Sequence, residues 1–272
     1  MKTLITAIYI FFSLNLYSQK VEDIVTDRPD QTESATIVPE NFIQLETGFE
    51  LEKDKIPQSE PIKYTYATTT NSFSALLRYG LVKNLEIRLG IQYFWETINT
   101  ISVFPQLEEY SEVIIKSKGI GPFLLGVKIK IMEEMEATPE TSFLFHLTIP
   151  QDPYGPFQPR YVGANFRFAM AHTLSDRFSL SYNLGGEWNG DDPKATGIYT
   201  LSLGISLIKK LSMFVESYGF LPQKEIPDHR LDGGFTYLFA KNIQADVSGG
   251  VGITDKSPDY FIGAGFSIRL PG

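Results

Sequence analysis

Alternating apolar and polar residues on either side of short polar turns are the feature that most constrains the fold of this 272-residue chain. The clearest copy spans residues 73–93, with Leu-Val-Lys-Asn at positions 81–84 as its turn. In residues 85–93 every odd position is apolar, whereas the even positions hold Glu, Arg, Gly and Gln. Because alternate strand residues point to opposite faces, this pattern predicts a β-hairpin with one apolar and one polar face.

Period-two patterning predicts about twelve strands after residue 41. The predicted spans are 42–52, 71–80, 85–95, 119–131, 141–149, 160–172, 177–188, 195–208, 211–220, 230–239, 243–253 and 259–270. One face of nearly every strand is apolar, and the other carries charges of both signs. We therefore predict an all-β fold, a transmembrane antiparallel up-and-down β-barrel whose apolar face contacts lipid. The alternative is a soluble β-sandwich, in which a second sheet would have to cover each apolar face.

The predicted connections alternate in length. The long ones are 53–70, 96–118, 150–159, 189–194, 221–229 and 254–258. The short ones are 81–84, 173–176, 209–210, 240–242 and the somewhat longer 132–140. Outer-membrane barrels have this asymmetry, with short periplasmic turns and longer external loops. Aromatic residues gather near both ends of the strands, as the two interfaces of a bilayer favour: Tyr93, Trp95 and Trp188 on the loop side, and Tyr79, Phe178, Tyr237 and Phe239 on the turn side.

Residues 1–19 have the pattern of a secretory signal peptide. Lys2 supplies the positive start, residues 4–16 are mostly apolar, and Ser18 is a small residue near the expected cleavage point. The alternative is a buried first strand. No later stretch reaches the ~18 continuous apolar residues of a transmembrane helix. The sequence thus predicts export to the outer membrane of a Gram-negative cell.

A polar leader, residues 20–41, separates the signal segment from the barrel at 42–272. Pro29 and Pro39 argue against a central strand in it. We expect a periplasmic or lumenal segment, and a plug or gate is one role for it. Its motif is Asp27, Arg28, Pro29, Asp30, Gln31, Thr32 and Glu33. Calcium binding by its carboxylates would need a turn glycine and further ligands that are missing, so docking against opposite charges of the inner wall is the better interpretation.

The alternation of each strand places charged side chains of both signs on its polar face. The acidic candidates are Glu46, Glu50, Glu86, Glu187, Glu216, Asp232 and Asp246. The basic candidates are Arg78, Arg88, Lys128, Lys130, Arg167 and Arg269. Inside a barrel of about twelve strands these side chains share a narrow lumen. They form either a structural ion-pair network, because charges removed from water need partners, or a selectivity lining for a solute.

Composition excludes several other functions. The absence of cysteine leaves no disulfide, thiol nucleophile or thiolate metal site. A net charge of −8 disfavours a nucleic-acid partner. The three histidines lack metal-binding spacing, so we expect no metal and no cofactor.

His146 and Thr148 approach the His-Ser spacing of outer-membrane lipid hydrolases, but threonine replaces serine. The alternation of the strand also turns both side chains toward the lumen rather than toward lipid.

Two motifs give a resemblance to a known family. Residues 26–34, Thr-Asp-Arg-Pro-Asp-Gln-Thr-Glu-Ser, are followed by Val-Pro at 38–39 and by residues 44–49, Gln-Leu-Glu-Thr-Gly-Phe. Together with the hairpin at 79–89, they resemble the outer-membrane family described as "putative meta-pathway of phenol degradation". The resemblance implies a porin-like transport barrel for small hydrophobic or aromatic compounds, without catalytic residues. The terminal Arg269-Leu-Pro-Gly272 departs from the aromatic end that usually assists assembly of such barrels.

The sequence therefore predicts a transporter or channel-like barrel for a small apolar or aromatic solute, and no enzyme. Its expected partners are outer-membrane lipids, the solute and the barrel assembly machinery. One alternative is a non-transporting structural or surface-interaction barrel that uses the long loops 53–70 and 96–118. The other is an outer-membrane lipid hydrolase.

Overall fold

The computed structural model describes residues 22–56, 63–104, 109–152 and 154–272, so the predicted signal segment 1–19 lies outside the described residues. The regular elements of this part of the chain are all β-strands. Their bounds are β1 (Phe42–Ile56), β2 (Lys63–Val82), β3 (Leu85–Phe104), β4 (Glu109–Ile120), β5 (Phe123–Met132), β6 (Glu140–Ile149), β7 (Gly163–Thr173), β8 (Phe178–Trp188), β9 (Thr196–Ile208), β10 (Leu211–Leu221), β11 (Asp228–Ala240), β12 (Ile243–Gly252) and β13 (Tyr260–Pro271).

The strands form one closed antiparallel barrel. From β5 to β13 each strand pairs with the next in sequence, β13 pairs with β1, and β1 and β2 lead on to β3. Two strands share the position on the other side of β3: β5 pairs with residues 85–90 and β4 with residues 93–104. The wall therefore has twelve positions, as the sequence predicts, built from thirteen strands.

The division between β4 and β5 is a local break at Gly121 and Pro122, inside a segment for which the sequence predicts one strand, 119–131. Gly121 donates its N–H to the carbonyl of Gln92 at 2.8 Å. Pro122 has no N–H and cannot continue the ladder. A side chain at Gly121 would collide with Phe94, since a Cβ there would lie 2.7 Å from the ring. The prediction of one continuous strand is therefore wrong.

Two predicted loops are largely strand. β1 and β2 cover much of 53–70, and residues 96–104 pair with 109–117 across most of 96–118. These extensions continue beyond the aromatic residues on the loop side. Because strands outside the bilayer need no apolar face, the Thr-Ile-Asn-Thr-Ile-Ser run at 97–102 lacks the lipid-facing pattern that marks the rest of β3. Similarly, β7 begins at Gly163, three residues after its predicted start at 160.

Burial in this barrel is the reverse of burial in a soluble protein. Arg78, Arg88 and Lys128 are among the largest fully buried side chains, whereas Phe49 and Val247 are about half exposed. Apolar side chains normally fill a protein interior, and charged ones are almost never fully buried unless paired. An apolar exterior around a polar interior is the arrangement of a barrel whose outer surface contacts lipid. The structure thus confirms the predicted transmembrane barrel and excludes the sandwich.

Aromatic side chains mark both ends of the outer surface. Trp95 is exposed in the middle of β3, below its extension toward the loops, and Trp188 is exposed at the loop end of β8. Tyr237 and Phe239 are exposed at the turn end of β11. These positions are the two girdles that the sequence predicts. The described residues contain no helix with the length and hydropathy needed to cross a bilayer.

Candidate functional site: the leader and the lumen

The described part of the leader, residues 22–41, is attached at the turn end of the barrel at both of its ends. Near its start, Ile24 donates its N–H to the carbonyl of Lys241 at 2.7 Å. At its end, Asn41 donates to the carbonyl of Gly80 at 2.8 Å. Between these anchors, Ala35 and other leader side chains are buried against the inner wall. The leader therefore folds into the lumen from the turn side.

Asp27 is the centre of the leader's charged contacts. Its carboxylate lies 3.0 Å from the Arg78 guanidinium, 2.8 Å from that of Arg88 and 3.0 Å from the Lys128 ammonium. The Asp27 side chain is only 4% exposed. Burial alone would raise the pKa of Asp27, but the three cations outweigh burial and hold this pKa well below its usual range. The leader carboxylate is therefore ionised and surrounded by cations of three strands.

The wall around Asp27 carries carboxylates as well as cations. Glu46 pairs with Arg78 at 2.8 Å, and Glu86 pairs with Arg78 at 2.7 Å. From the leader, Glu33 pairs with Arg88 at 2.8 Å. We call this surface of β1, β2, β3 and β5 the paired wall; its members are Glu46, Arg78, Glu86, Arg88 and Lys128. Its three cations face two carboxylates of the wall and two of the leader.

Backbone groups of the leader also use the paired wall. Glu46 accepts the N–H of Asp27 at 3.0 Å, and Glu86 accepts the N–H of Val38 at 2.8 Å. Lys128 donates to the carbonyl of Ser34 at 2.9 Å. These bonds satisfy main-chain groups that the leader, lacking strand partners, would otherwise leave unpaired in the lumen.

The opposite side of the lumen is acidic. We call the carboxylates Glu216, Asp232 and Asp246, on β10, β11 and β12, the acidic wall. Glu216 accepts the N–H of Gln31 at 2.7 Å and also the hydroxyl of Thr32. Asp232 is 6% exposed, and no described residue donates a hydrogen bond to either of its carboxylate oxygens. This wall therefore holds the leader mainly through hydrogen bonds, and it has more carboxyl groups than basic partners.

Asp30 adds a further carboxylate on the acidic side. Burial and the nearby charge of Glu216 raise the pKa of Asp30 well above its usual range, although a hydrogen bond with Ser202 lowers it in part. Asp27 and Asp30, three residues apart in one motif, therefore meet opposite electrostatic environments.

Arg28 occupies a slot that two glycines make in the wall. Gly48 of β1 and Gly265 of β13 are paired in register. A Cβ at Gly48 would lie 2.1 Å from the guanidinium carbon of Arg28, and a Cβ at Gly265 would lie 2.4 Å from its Nε. From this slot Arg28 reaches Asp246 at 3.3 Å. The alternation of β1 and β13 predicts only that these glycines face the lumen, so sequence reasoning missed the slot.

The other predicted lumen residues lie outside the two walls. Lys130 pairs with Glu140 at 2.8 Å near the turn end, where Arg269 donates to the carbonyl of Glu22. Glu50 shares the inward face of β1 with Glu46 and is partly buried. The remaining two, Arg167 and Glu187, line a separate cavity.

This cavity has a volume of about 660 Å³ and lies on the loop side of the leader. Glu33 of the leader and Arg88 border it, and Leu76 and Leu124 add apolar surface. Residues 156–159 cover it from the loop end and contribute to its lining. The arrangement is a mixed polar and apolar chamber between the leader and an external loop.

Contacts with β3 and β4 hold the covering segment in place. Phe157 stacks on Phe94 with ring centroids 5.0 Å apart. Gln158 donates its side-chain N–H to the carbonyl of Ile120 at 2.7 Å, on the edge of β4 that no other strand covers among the described residues. The loop-end closure of the cavity therefore depends on the same break between β4 and β5 that the sequence did not reveal.

His146 and Thr148 both line the cavity, on the lumen side that their parity predicts. The ring of His146 lies against Gly126, where a Cβ would be 2.2 Å from the ring carbon Cδ2. Both side chains are thus separated from the lipid-facing surface, which is where a lipid substrate would arrive.

Comparisons with known proteins support this architecture. A comparison with curated protein sequences gave no match. The COG4313 outer membrane channel from Pseudomonas putida F1 superimposes with a TM-score of 0.65 at 11% identity, over 90% of this chain and 100% of that one. The translocator domain of the autotransporter NalP from Neisseria meningitidis gives 0.53 at 11% identity, over 84% and 88% of the two chains. At such identities the likeness shows the fold alone.

The family assignment comes from sequence. Residues 26–270 match the family described as "Putative MetA-pathway of phenol degradation". The match begins in the leader motif and ends in β13, so it includes both the lumenal segment and the whole barrel. The chain belongs to this family.

Proposed function

We propose that this protein is an outer-membrane channel for small hydrophobic or aromatic solutes, in which leader residues 22–41 form a plug. The lipid-facing exterior and the closed polar lumen support a membrane channel. The family description, which refers to phenol degradation, and the fold shared with a protein described as an outer membrane channel support the solute class and the location. Outer-membrane lipids and the barrel assembly machinery are its expected partners.

The cavity of about 660 Å³ is the observation that carries this proposal. Small-molecule sites typically enclose ~300–1,000 Å³ and combine apolar walls with a few placed polar groups. Leu76, Leu124 and Phe157 supply apolar surface, while Arg88 and Arg167 supply polar groups. A solute entering from the loop side would occupy this chamber before it meets the leader.

The leader closes the route beyond the cavity. Its carboxylates Asp27 and Glu33 are paired with cations of the wall, so displacing the leader exposes buried charge without its partners. We therefore expect a resting state of low conductance, in which passage to the turn side requires movement of the leader.

Planar-bilayer conductance tests the plug. We expect deletion of residues 22–40 to raise single-channel conductance at least several-fold above that of the mature chain, because the deletion removes the segment that fills the turn-side lumen. Heat-modifiable gel mobility would verify that the shortened barrel is folded. If it is not, the same conductance measurement would be made on the full-length variant Asp27→Asn, in which the leader should dock more weakly. Equal conductance in folded variant and parent would refute the plug.

Solute binding tests the cavity. Isothermal titration of the detergent-solubilised mature chain with benzyl alcohol, a small neutral aromatic probe, should give saturable binding. Leu124→Arg, which puts a charged side chain into the lining, should abolish it, whereas Leu125→Ala on the exposed outer face should not. Absence of binding, together with unchanged permeability of proteoliposomes, would contradict the proposed function.

We further propose that the protein catalyses no reaction. The position of His146 and Thr148 inside the lumen supports this, because a membrane lipid has no access to them from the outer surface. Lipase assays of the purified barrel should show no activity above that of Thr148→Ala. Activity that Thr148→Ala removes would contradict the proposal.

A further inference from the structure

We propose that the lumen cavity binds aromatic carboxylates, with Arg167 as the group that binds the carboxylate and the apolar lining as the surface that covers the ring. This inference rests on the proposed channel function and narrows its solute class. Neutral aromatic solutes would enter the same chamber but would bind more weakly, since they leave the charge of Arg167 unpaired.

Arg167 differs from the other arginine of the cavity in its partners. Arg88 has ion pairs with Asp27 and Glu33. Arg167 makes one bond, from a guanidinium nitrogen to the carbonyl of Gln31 at 2.9 Å, and in the part of the chain that the structure describes it forms no ion pair. A guanidinium offers five N–H donors in a planar fork that matches a carboxylate. Its remaining donors are therefore free for an anion in the cavity.

The carboxylates that line the cavity do not neutralise Arg167. Glu33 is engaged with Arg88, and Asp191, at the loop end, accepts the backbone N–H of Arg160 at 3.1 Å. Glu187 accepts a long hydrogen bond of 3.3 Å from the side chain of Asn165. Arg167 is thus the one cation of the lining without a carboxylate partner among the described residues, and a carboxylate solute would supply that partner.

Two further polar groups of the lining lack partners. His146 is 6% exposed, and its Nε2 makes no hydrogen bond with a described residue. The side-chain oxygen of Asn165 is also buried and, within the described ranges, without a donor. Buried polar atoms without partners are costly unless a ligand or water satisfies them. A ring hydroxyl would donate to Asn165, so a hydroxylated aromatic acid satisfies more of the lining than an unsubstituted one.

The apolar part of the lining suits an aromatic ring. Leu76 and Leu124 come from β2 and β5, and Phe157 comes from the loop-end side. Surfaces on both sides of the chamber would exclude water from the ring, which strengthens the pairing of its carboxylate with Arg167. The geometry therefore combines an anion site and an apolar enclosure within one cavity.

Isothermal titration of the full mature chain in detergent provides the test, with benzoate, 4-hydroxybenzoate and the neutral benzyl alcohol as probes. We expect benzoate to bind at least tenfold more tightly than benzyl alcohol, and 4-hydroxybenzoate to bind more tightly still. Arg167→Met should weaken benzoate at least tenfold and leave benzyl alcohol within about twofold. Arg167→Lys, which keeps the charge, should recover part of the benzoate affinity. Arg177→Met, in the exposed β7–β8 turn, is the matched control and should change neither probe.

The outcomes separate this inference from the proposed function. If benzyl alcohol binds but benzoate binds no more tightly, or if Arg167→Met leaves benzoate affinity unchanged, the inference is overturned and the channel proposal stands. If no aromatic probe binds, the inference fails, and unchanged permeability of proteoliposomes would then contradict the channel proposal as well. The comparison of benzoate with benzyl alcohol on the parent protein decides the question even where Arg167→Met does not fold.

Discussion

The two sides of the lumen hold the same leader in different ways. On the paired wall, Asp27 meets three cations within 3.0 Å, and each cation is offset by carboxylates of the wall or leader. On the acidic wall, Glu216 holds Gln31 and Thr32 through hydrogen bonds, while Asp232 has no donor among the described residues. On the paired wall, Lys128 has its carboxylate partner only when the leader is present. On the acidic wall, carboxyl groups outnumber basic partners even when the leader is present.

The two walls therefore differ in how strongly they hold the leader. Removing a partner from a buried ion pair is strongly destabilising, whereas a single hydrogen bond contributes about 1 kcal/mol. We therefore expect the acidic side to open first and the paired wall to act as the hinge. Substitutions on each side and one cross-link test this difference.

Asp27→Asn should give the largest effect. The substitution leaves Arg78, Arg88 and Lys128 with one carboxylate fewer in a site that is closed to solvent, and should weaken leader docking by about 3 kcal/mol. Single-channel recording should then show frequent or permanent opening, and proteinase K should cleave the leader faster.

Asp23→Asn is the control for this effect. Asp23 lies in the same leader but is exposed, so its substitution should leave both conductance and cleavage unchanged. A closed, protease-resistant Asp27→Asn channel would mean that the paired wall is not the anchor.

The Arg28 slot should give an intermediate effect. Gly48→Ala puts a methyl group where the guanidinium lies, so Arg28 has to leave the slot and loses Asp246. Arg28→Met loses the same contact directly, and each variant should weaken docking by about 1–2 kcal/mol. Both substitutions remove the same interaction, between Arg28 and Asp246. The double variant should therefore weaken docking no more than the more severe single variant does. Additive effects on proteinase K cleavage would show that the slot and the ion pair act independently.

The dependence on pH should give the smallest effect and should come from the acidic side. The pKa of docked Asp30 is raised, so its contribution to docking is present below its free value of ~3.9 and is lost as pH rises through the raised value. The lowered pKa of Asp27 means that its contribution is already complete above ~4. Between about pH 4 and the raised pKa of Asp30, a higher pH should loosen the leader and raise the open probability of the channel.

Asp30→Asn should dock more tightly at pH 8 and should have a smaller slope of open probability with pH. Glu216, Asp232 and Asp27 also face Asp30, so some slope should remain. An unchanged slope would remove Asp30 as the source of the dependence.

The sequence predicts the barrel well because lipid imposes a strict pattern on each spanning strand. The alternation in residues 85–93 alone separates the lipid face from the face that holds Glu86 and Arg88, and the inner-wall charges follow by parity. The same reasoning assigns the leader to a polar environment. What alternation cannot predict is the pairing of strands in water, where residues 96–104 and 109–120 need no apolar face.

The cavity and the wall contacts were also beyond sequence reasoning, for a different physical reason. Arg167 and Arg88 have the same residue type and the same parity, yet only Arg88 has carboxylate partners among the described residues. That distinction depends on where the leader runs across the lumen. Similarly, Gly48 makes room for Arg28, a leader residue twenty positions earlier in the chain. This role also depends on the pairing of Gly48 with Gly265 in the adjacent strand.

A disulfide between the leader and the wall tests whether the leader is docked in the lumen and keeps the channel closed. The chain has no cysteine, so Thr32→Cys with Thr200→Cys creates a single pair, at positions whose side-chain oxygens are 2.7 Å apart. We expect this pair to oxidise readily in the folded barrel. The oxidised channel should stay closed even with Asp27→Asn, and reducing agent should reopen it. Failure of the pair to cross-link in a folded, membrane-inserted barrel, with the thiol introduced at position 32 freely labelled by a membrane-impermeant maleimide, would contradict the docking of the leader in the lumen.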